Sequence, residues 1–162
     1  MIFPPEEYER VRILRPPALR RPLLPPGVMN AIQSVGGSDP VFLTEKRLEP
    51  SDVNMKLNWL FVPKAQALLA FMSRGERETV ENGMNGGILR VTKIRPWGQH
   101  YVTKFKKWPS LKQLVIIKQW TKLVKENWLM EDELFQLWGF RVNYSLYFAV
   151  NVERGVTRMA QE

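Results

Sequence analysis

Eight of the chain's twelve prolines stand within its first 40 residues, at Pro4, Pro5, Pro16, Pro17, Pro22, Pro25, Pro26 and Pro40. Each proline fixes φ and lacks an amide donor, so this density argues against a regular helix and for extended or polyproline chain. Residues 1–40 therefore read as a flexible proline-rich arm or linker, ending in the turn-like GGSDP of Gly36 to Pro40. The RRPLLPP stretch, Arg20 to Pro26, looks like a ligand for polyproline-binding domains, and a protein partner is the matching expectation for the arm. The fold itself has to be built from Val41 onward, and 162 residues suffice for one good core.

From Val41 the apolar residues fall in short runs separated by turns. LNWLFV, Leu57 to Val62, is a strand closed by Pro63. KAQALLAFM, Lys64 to Met72, has helical spacing, and the following ERETVEN extends that helix toward Gly83. NGMNGG, Asn82 to Gly87, is a loop by composition. ILRVTKI (Ile88 to Ile94) and HYVTKFKKW (His100 to Trp108) alternate and read as a hairpin. In the second run Tyr101, Thr103 and Phe105 share one face, and Val102, Lys104 and Lys106 share the other. LVII, Leu114 to Ile117, is an apolar strand. KQWTKLVKEN is a short amphipathic helix with Lys118, Lys122 and Lys125 on its wet side. ELFQLWGF and YSLYFAV, parted at Arg141 to Asn143, are two closing strands, and residues 153–162 form a polar tail. Trp120, Leu123, Val124, Leu134, Trp138, Tyr147 and Phe148 are expected in the core. This order is that of a mainly β protein, an antiparallel barrel or sandwich with helices at its open ends.

Charge narrows the function. The net charge is +8, and between Asn82 and Lys125 there is no Asp or Glu, while ten Lys and Arg fall in that window, from Arg90 to Lys125. Such segregation suits an acidic partner, nucleic acid above all. The parts for catalysis are scarce. Without cysteine there is no disulfide, thiolate nucleophile or cysteine-bound zinc, and His100 is the single histidine. Glu131 to Glu133 read as a solvated turn, and NGMNGG lacks the ending of a phosphate-binding loop. No apolar run approaches the roughly 20 residues that span a bilayer. The expectation is a protein that is not an enzyme, with no cofactor, no metal, no small-molecule substrate and no membrane partner.

Three stretches carry a resemblance. EPSDVNMKLNWLFVPK (Glu49 to Lys64), WPSLKQLVIIKQWTKLVKENWL (Trp108 to Leu129) and EDELFQLWGFRVNYSLYFAV (Glu131 to Val150) resemble the plant-specific B3 DNA-binding domain family. They are most similar to its divergent subgroup, formerly described as a domain of unknown function. The resemblance covers about Phe42 to Val152. It implies an open seven-stranded pseudobarrel with two short helices over residues 41–152, and a nuclear transcriptional regulator that grips double-stranded DNA by its major groove with two arms. Carried over by position, the first arm offers Lys56 and Asn58, and the second offers Lys106, Lys107, Trp108, Ser110 and Lys112. Lys104 joins them through the charge pattern. Trp59 stands where many members have Arg, Pro109 where they have Asn, and Glu131 where a Gly is frequent, while Asn54-Met55 lengthens the first arm. Arg and Asn read base edges by paired hydrogen bonds that Trp and Pro cannot make. The alternative reading is therefore a diverged B3-fold protein-interaction module without base readout. A nuclease recognition domain is a second rival, and it lacks a visible acidic metal cluster.

Overall fold

The structure, a computed structural model, describes residues 22–91, 100–108 and 113–154. Seven strands form one sheet: β1 (Val41–Arg47), β2 (Trp59–Val62), β3 (Met84–Val91), β4 (His100–Trp108), β5 (Gln113–Ile117), β6 (Leu134–Val142) and β7 (Ser145–Glu153). Their order is β1-β6-β7-β3-β4-β5-β2, with β3 and β7 parallel and the other neighbours antiparallel. Among the described residues four short helices accompany them, α1 (Pro26–Ser34), α2 (Gln66–Phe71), α3 (Arg74–Asn82) and α4 (Trp120–Glu126), with a 3-10 turn at Pro50–Val53. This is the mainly β, nearly closed seven-stranded barrel that the resemblance implies.

β1 and β2 lie at the two ends of the strand order and share no ladder. Side chains bridge the gap. The Thr44 hydroxyl donates to the Pro63 carbonyl at 2.6 Å, and Lys46 Nζ to the Phe61 carbonyl at 3.4 Å. Lys46 also donates to Asp52 at 3.0 Å, and the other Asp52 oxygen accepts the Glu49 amide at 2.8 Å. The unpaired backbone of two edge strands is thereby partly satisfied, and the 3-10 turn is fastened across the seam. α4 closes one end of the barrel. Its Trp120 and Leu123 are fully buried, and the Trp120 indole donates to the Asp52 carbonyl at 2.8 Å. The Tyr101 hydroxyl donates to Glu126 at 2.7 Å and accepts from the Asn127 amide at 2.9 Å. Burial, and then the Glu126 bond, push the Tyr101 phenol up to about 12, so it stays a donor.

Several expectations are corrected. The reading of residues 1–40 as arm fails over its last part. Pro26 opens α1 at a position where a missing amide costs nothing, and Leu24, Val28 and Ile32 bury against Trp138, Phe140 and Ala149 on the outside of β6 and β7. Glu153, expected to open the polar tail, instead ends β7. The helix expected from Lys64 through ERETVEN is two helices. Ser73 stops the first and caps the second: its amide donates to Glu76 at 2.8 Å and its hydroxyl accepts the Glu76 amide at 3.2 Å. NGMNGG is largely strand, because Met84 to Gly87 pair with Lys106 to Thr103 of β4. Glycine serves packing there: a Cβ on Gly87 would lie 2.8 Å from Phe105 and 2.9 Å from Phe148. Finally, the closing turn falls at Asn143 and Tyr144, both at positive φ as a two-residue hairpin requires. Of the seven expected core residues, Leu134 and Tyr147 are half-buried and the other five buried.

Arg141, just before that turn, ties it to α3. Its guanidinium donates to both Glu76 oxygens at 2.7 and 2.8 Å and lies over the Phe71 ring, 5.4 Å from its centre. Arg141 holds the Glu76 carboxyl below its ordinary value of 4.5. A depressed folded-state pKa contributes stability above the unfolded value, and that contribution is lost as pH falls through the folded one. Glu76→Gln is therefore expected to cost about 1 kcal/mol at pH 7, where the pair is half-screened by solvent. The gap to wild type should narrow below about pH 4. Urea midpoints of both proteins across that range check this, and a constant gap refutes it.

Candidate nucleic-acid interface

Strand β4 supplies the first cations. Its side chains alternate, with Tyr101, Thr103 and Phe105 buried and Val102, Lys104 and Lys106 turned outward as the period-two pattern requires. Lys104 pairs with Gly86 on one side and Ile117 on the other, and its ammonium lies across the glycine, 3.7 Å from where a Cβ would stand. Lys106 pairs with Val115. The same outer face carries an aromatic trio. Trp108 packs edge-on against Trp59 at 4.9 Å and Phe61 at 5.4 Å, and Val115 lies fully buried on this face. Such pairs add about 0.5–1.5 kcal/mol each beyond their burial. Trp108 therefore acts first as a brace, stiffening the end of β4 against β2.

The first arm joins this face at the start of β2. Lys56 and Asn58 are exposed. Asn54 shapes the loop, accepting the Lys56 amide on its side chain at 2.8 Å and the Leu57 amide on its backbone at 3.0 Å. The Asn58 side-chain carbonyl accepts the Thr121 amide at 2.8 Å, and the Thr121 hydroxyl reaches the Leu57 carbonyl at 3.4 Å. The arm is thus fixed to the start of α4, beside exposed Lys118 and Lys122. Asn58 is left with its NH₂ donors alone, whereas paired readout of adenine needs carbonyl and amide together.

Lys107 does not join the group. It follows Lys106 on the opposite side of the strand, where its ammonium donates to both Glu81 oxygens at 2.9 and 3.0 Å. Glu81 stands one residue before the acid-free window and is returned to it by the β3–β4 hairpin, which no count along the sequence reveals. Ser110 and Lys112 lie outside the described residues, as do Lys93 and Arg95. Lys104 and Lys106 therefore share the outer β2–β5–β4 face with Trp59, a residue that a search of the arms for hydrogen-bonding side chains passes over, while Lys56 and Asn58 stand exposed on the segment that leads into β2. The single carboxylate between Lys104 and Leu129, Glu126, is bonded to Tyr101. Among the described residues no group of three His, Cys, Asp or Glu is placed to hold a metal ion, and no helix is long and apolar enough to cross a membrane.

Comparison with known proteins agrees with this architecture. The barrel is similar to a solved structure titled "Arabidopsis FUS3-DNA complex", with a TM-score of 0.52 and 18% identity over 70% of this chain and 98% of that one. In sequence it is 28% identical over 131 residues to the B3 domain-containing protein At1g05920 of Arabidopsis thaliana. That match takes in 71% of this chain and 40% of the relative, so the chain spans well under half of that protein's length. The family described as B3 domain-containing protein At2g31720-like matches residues 24–154, from the strand-covering N-terminal segment to the end of β7. On that match, and with seven strands in the order described, the chain belongs to the B3 domain family.

Proposed function

We propose that this protein binds double-stranded DNA through the major groove and acts in the nucleus as a transcriptional regulator, by binding alone and without enzymatic chemistry. The observation that carries the reading is the shared outward face of Lys104 and Lys106, flanked by the anchored arm that presents Lys56. Ammonium groups held on one strand face neutralise phosphates, which fixes a protein on the duplex without reading sequence. Family membership and the likeness to a B3 barrel solved with DNA support the same reading.

Base readout is reduced in kind. Asn58 has committed its carbonyl, and Trp59 offers an apolar edge in place of a forked donor. The major-groove feature such an edge recognises is the C5-methyl of thymine. Selection from a random duplex pool is expected to enrich sites with one invariant thymine. Replacing that thymine by uracil should weaken binding about fourfold, the worth of one buried methyl group. Enrichment without any thymine dependence would remove Trp59 from the readout, and absence of binding to any duplex would refute the function. The same two residues favour the second reading, a protein-interaction module without base readout, which predicts no enrichment and a flat response to salt.

A further inference from the structure

Three large apolar side chains that the fold leaves exposed converge on one place. Met55, Trp128 and Met130 are 49%, 74% and 48% exposed. With Val53, Val124 and Leu129 they line a groove of about 660 Å³ between the loop after the 3-10 turn and the end of α4. None of its lining residues belongs to β2, β4 or β5, although Met55 adjoins Lys56 of the first arm.

The backbone at Trp128 adds an independent observation. α4 ends in a Schellman motif, with the Leu129 amide donating to the Val124 carbonyl at 3.0 Å and the Trp128 amide to the Lys125 carbonyl at 3.4 Å. Trp128 holds the left-handed position of that motif, at φ 55°, where a Cβ is disfavoured and glycine is the usual occupant. A bulky side chain in the conformation that suits it least, directed largely to solvent, is a local conflict of the kind that marks function.

We propose that this groove docks an amphipathic helix of a protein partner. Its apolar face enters between Met55, Trp128 and Met130, and methionine side chains adapt to such faces by repacking. Charge sets the flank. Lys125 lines the groove and Lys122 stands one turn earlier on α4, both exposed, while Glu131 lines it next to Met130. The partner helix therefore carries acidic residues along the α4 side.

The test is selection of a displayed library of random peptides, about 16 residues long so that four helical turns are available. Selection is against the full chain, with counter-selection on Trp128→Gly and affinities of the synthesised winners read by fluorescence anisotropy. Winners are expected to show apolar residues at i, i+3, i+4 and i+7 with Asp or Glu beside them. Their affinity should fall at least about tenfold in Trp128→Gly and in Met55→Glu, and several-fold in the double variant Lys122→Glu with Lys125→Glu. Trp128→Gly should melt at a higher temperature than wild type, since glycine suits the position, so lost binding there is not lost folding. It should also keep its duplex affinity, which separates this groove from the DNA reading. No enrichment, winners without the acidic amphipathic pattern, or affinities indifferent to Trp128→Gly would overturn the proposal. A dimer in sedimentation that Trp128→Gly dissolves would overturn it too, by assigning the groove to a second copy.

Discussion

Replacing Lys104 and Lys106 together by Glu is expected to lower affinity for any duplex by about a hundredfold at 0.1 M salt. The slope of log K against log salt should become shallower by about 2, one unit for each phosphate that is no longer neutralised. Both side chains lie on the outer face of β4, one across Gly86 and one beside Val115, so the core that β4 contributes through Tyr101, Thr103 and Phe105 is untouched. The loss should be uniform across sequences, because these ammonium groups position the protein without reading bases. Lys107→Glu is the internal comparison. Its ammonium is already engaged by Glu81, so its reversal should chiefly cost stability through repulsion at the end of α3. Anisotropy titrations at several salt concentrations measure all three proteins, and an undiminished affinity in the double variant would remove β4 from the interface.

Asp52→Ala is expected to destabilise the fold by about 2–3 kcal/mol and to lower its melting temperature by roughly 10 °C. The Asp52 side chain is 4% exposed and that of Lys46 15%. Removing the carboxylate leaves a largely buried ammonium and strands the Glu49 amide, and the cost is that of uncompensated polar groups. The effect reaches further than one pair, because Lys46 spans the seam between β1 and β2 and the turn holding Asp52 seats Trp120. Combining Asp52→Ala with Lys46→Met should recover part of the loss, since an apolar pair replaces a broken ionic one. Chemical denaturation of the single and the double variant beside wild type decides it. A single variant within about 0.5 kcal/mol of wild type would mean that the seam is held by something else.

What is legible in the sequence follows from periodicity. β4 alternates strictly, so spacing alone assigns Lys104 and Lys106 to one face, and the spacing of Trp120, Leu123 and Val124 marks α4. What stays hidden needs tertiary context. Pro25 and Pro26 read as breakers, yet Pro26 is an opener; the usable sign lies elsewhere, in β6, where LFQLWGF is apolar at both parities and so demands cover on both faces. Ser73 and Glu76 spell a capping box that outweighs the continuity of the helical pattern around it. Gly86 and Gly87 suggest a loop because glycine is usually read for its backbone freedom, whereas here it makes room for Lys104, Phe105 and Phe148. The capture of Lys107 by Glu81 and of the Asn58 carbonyl by Thr121 join residues 26 and 63 apart in the chain, beyond any local window.

The most direct measurement is a salt titration of the wild-type chain on a mixed-sequence duplex. If the ammonium groups of Lys56, Lys104 and Lys106 meet phosphates at this interface, log K should fall with log salt at a slope of about −3 or steeper. Tight binding with a slope near zero, or no binding at about 50 mM salt, would contradict a basic strand face laid against the duplex.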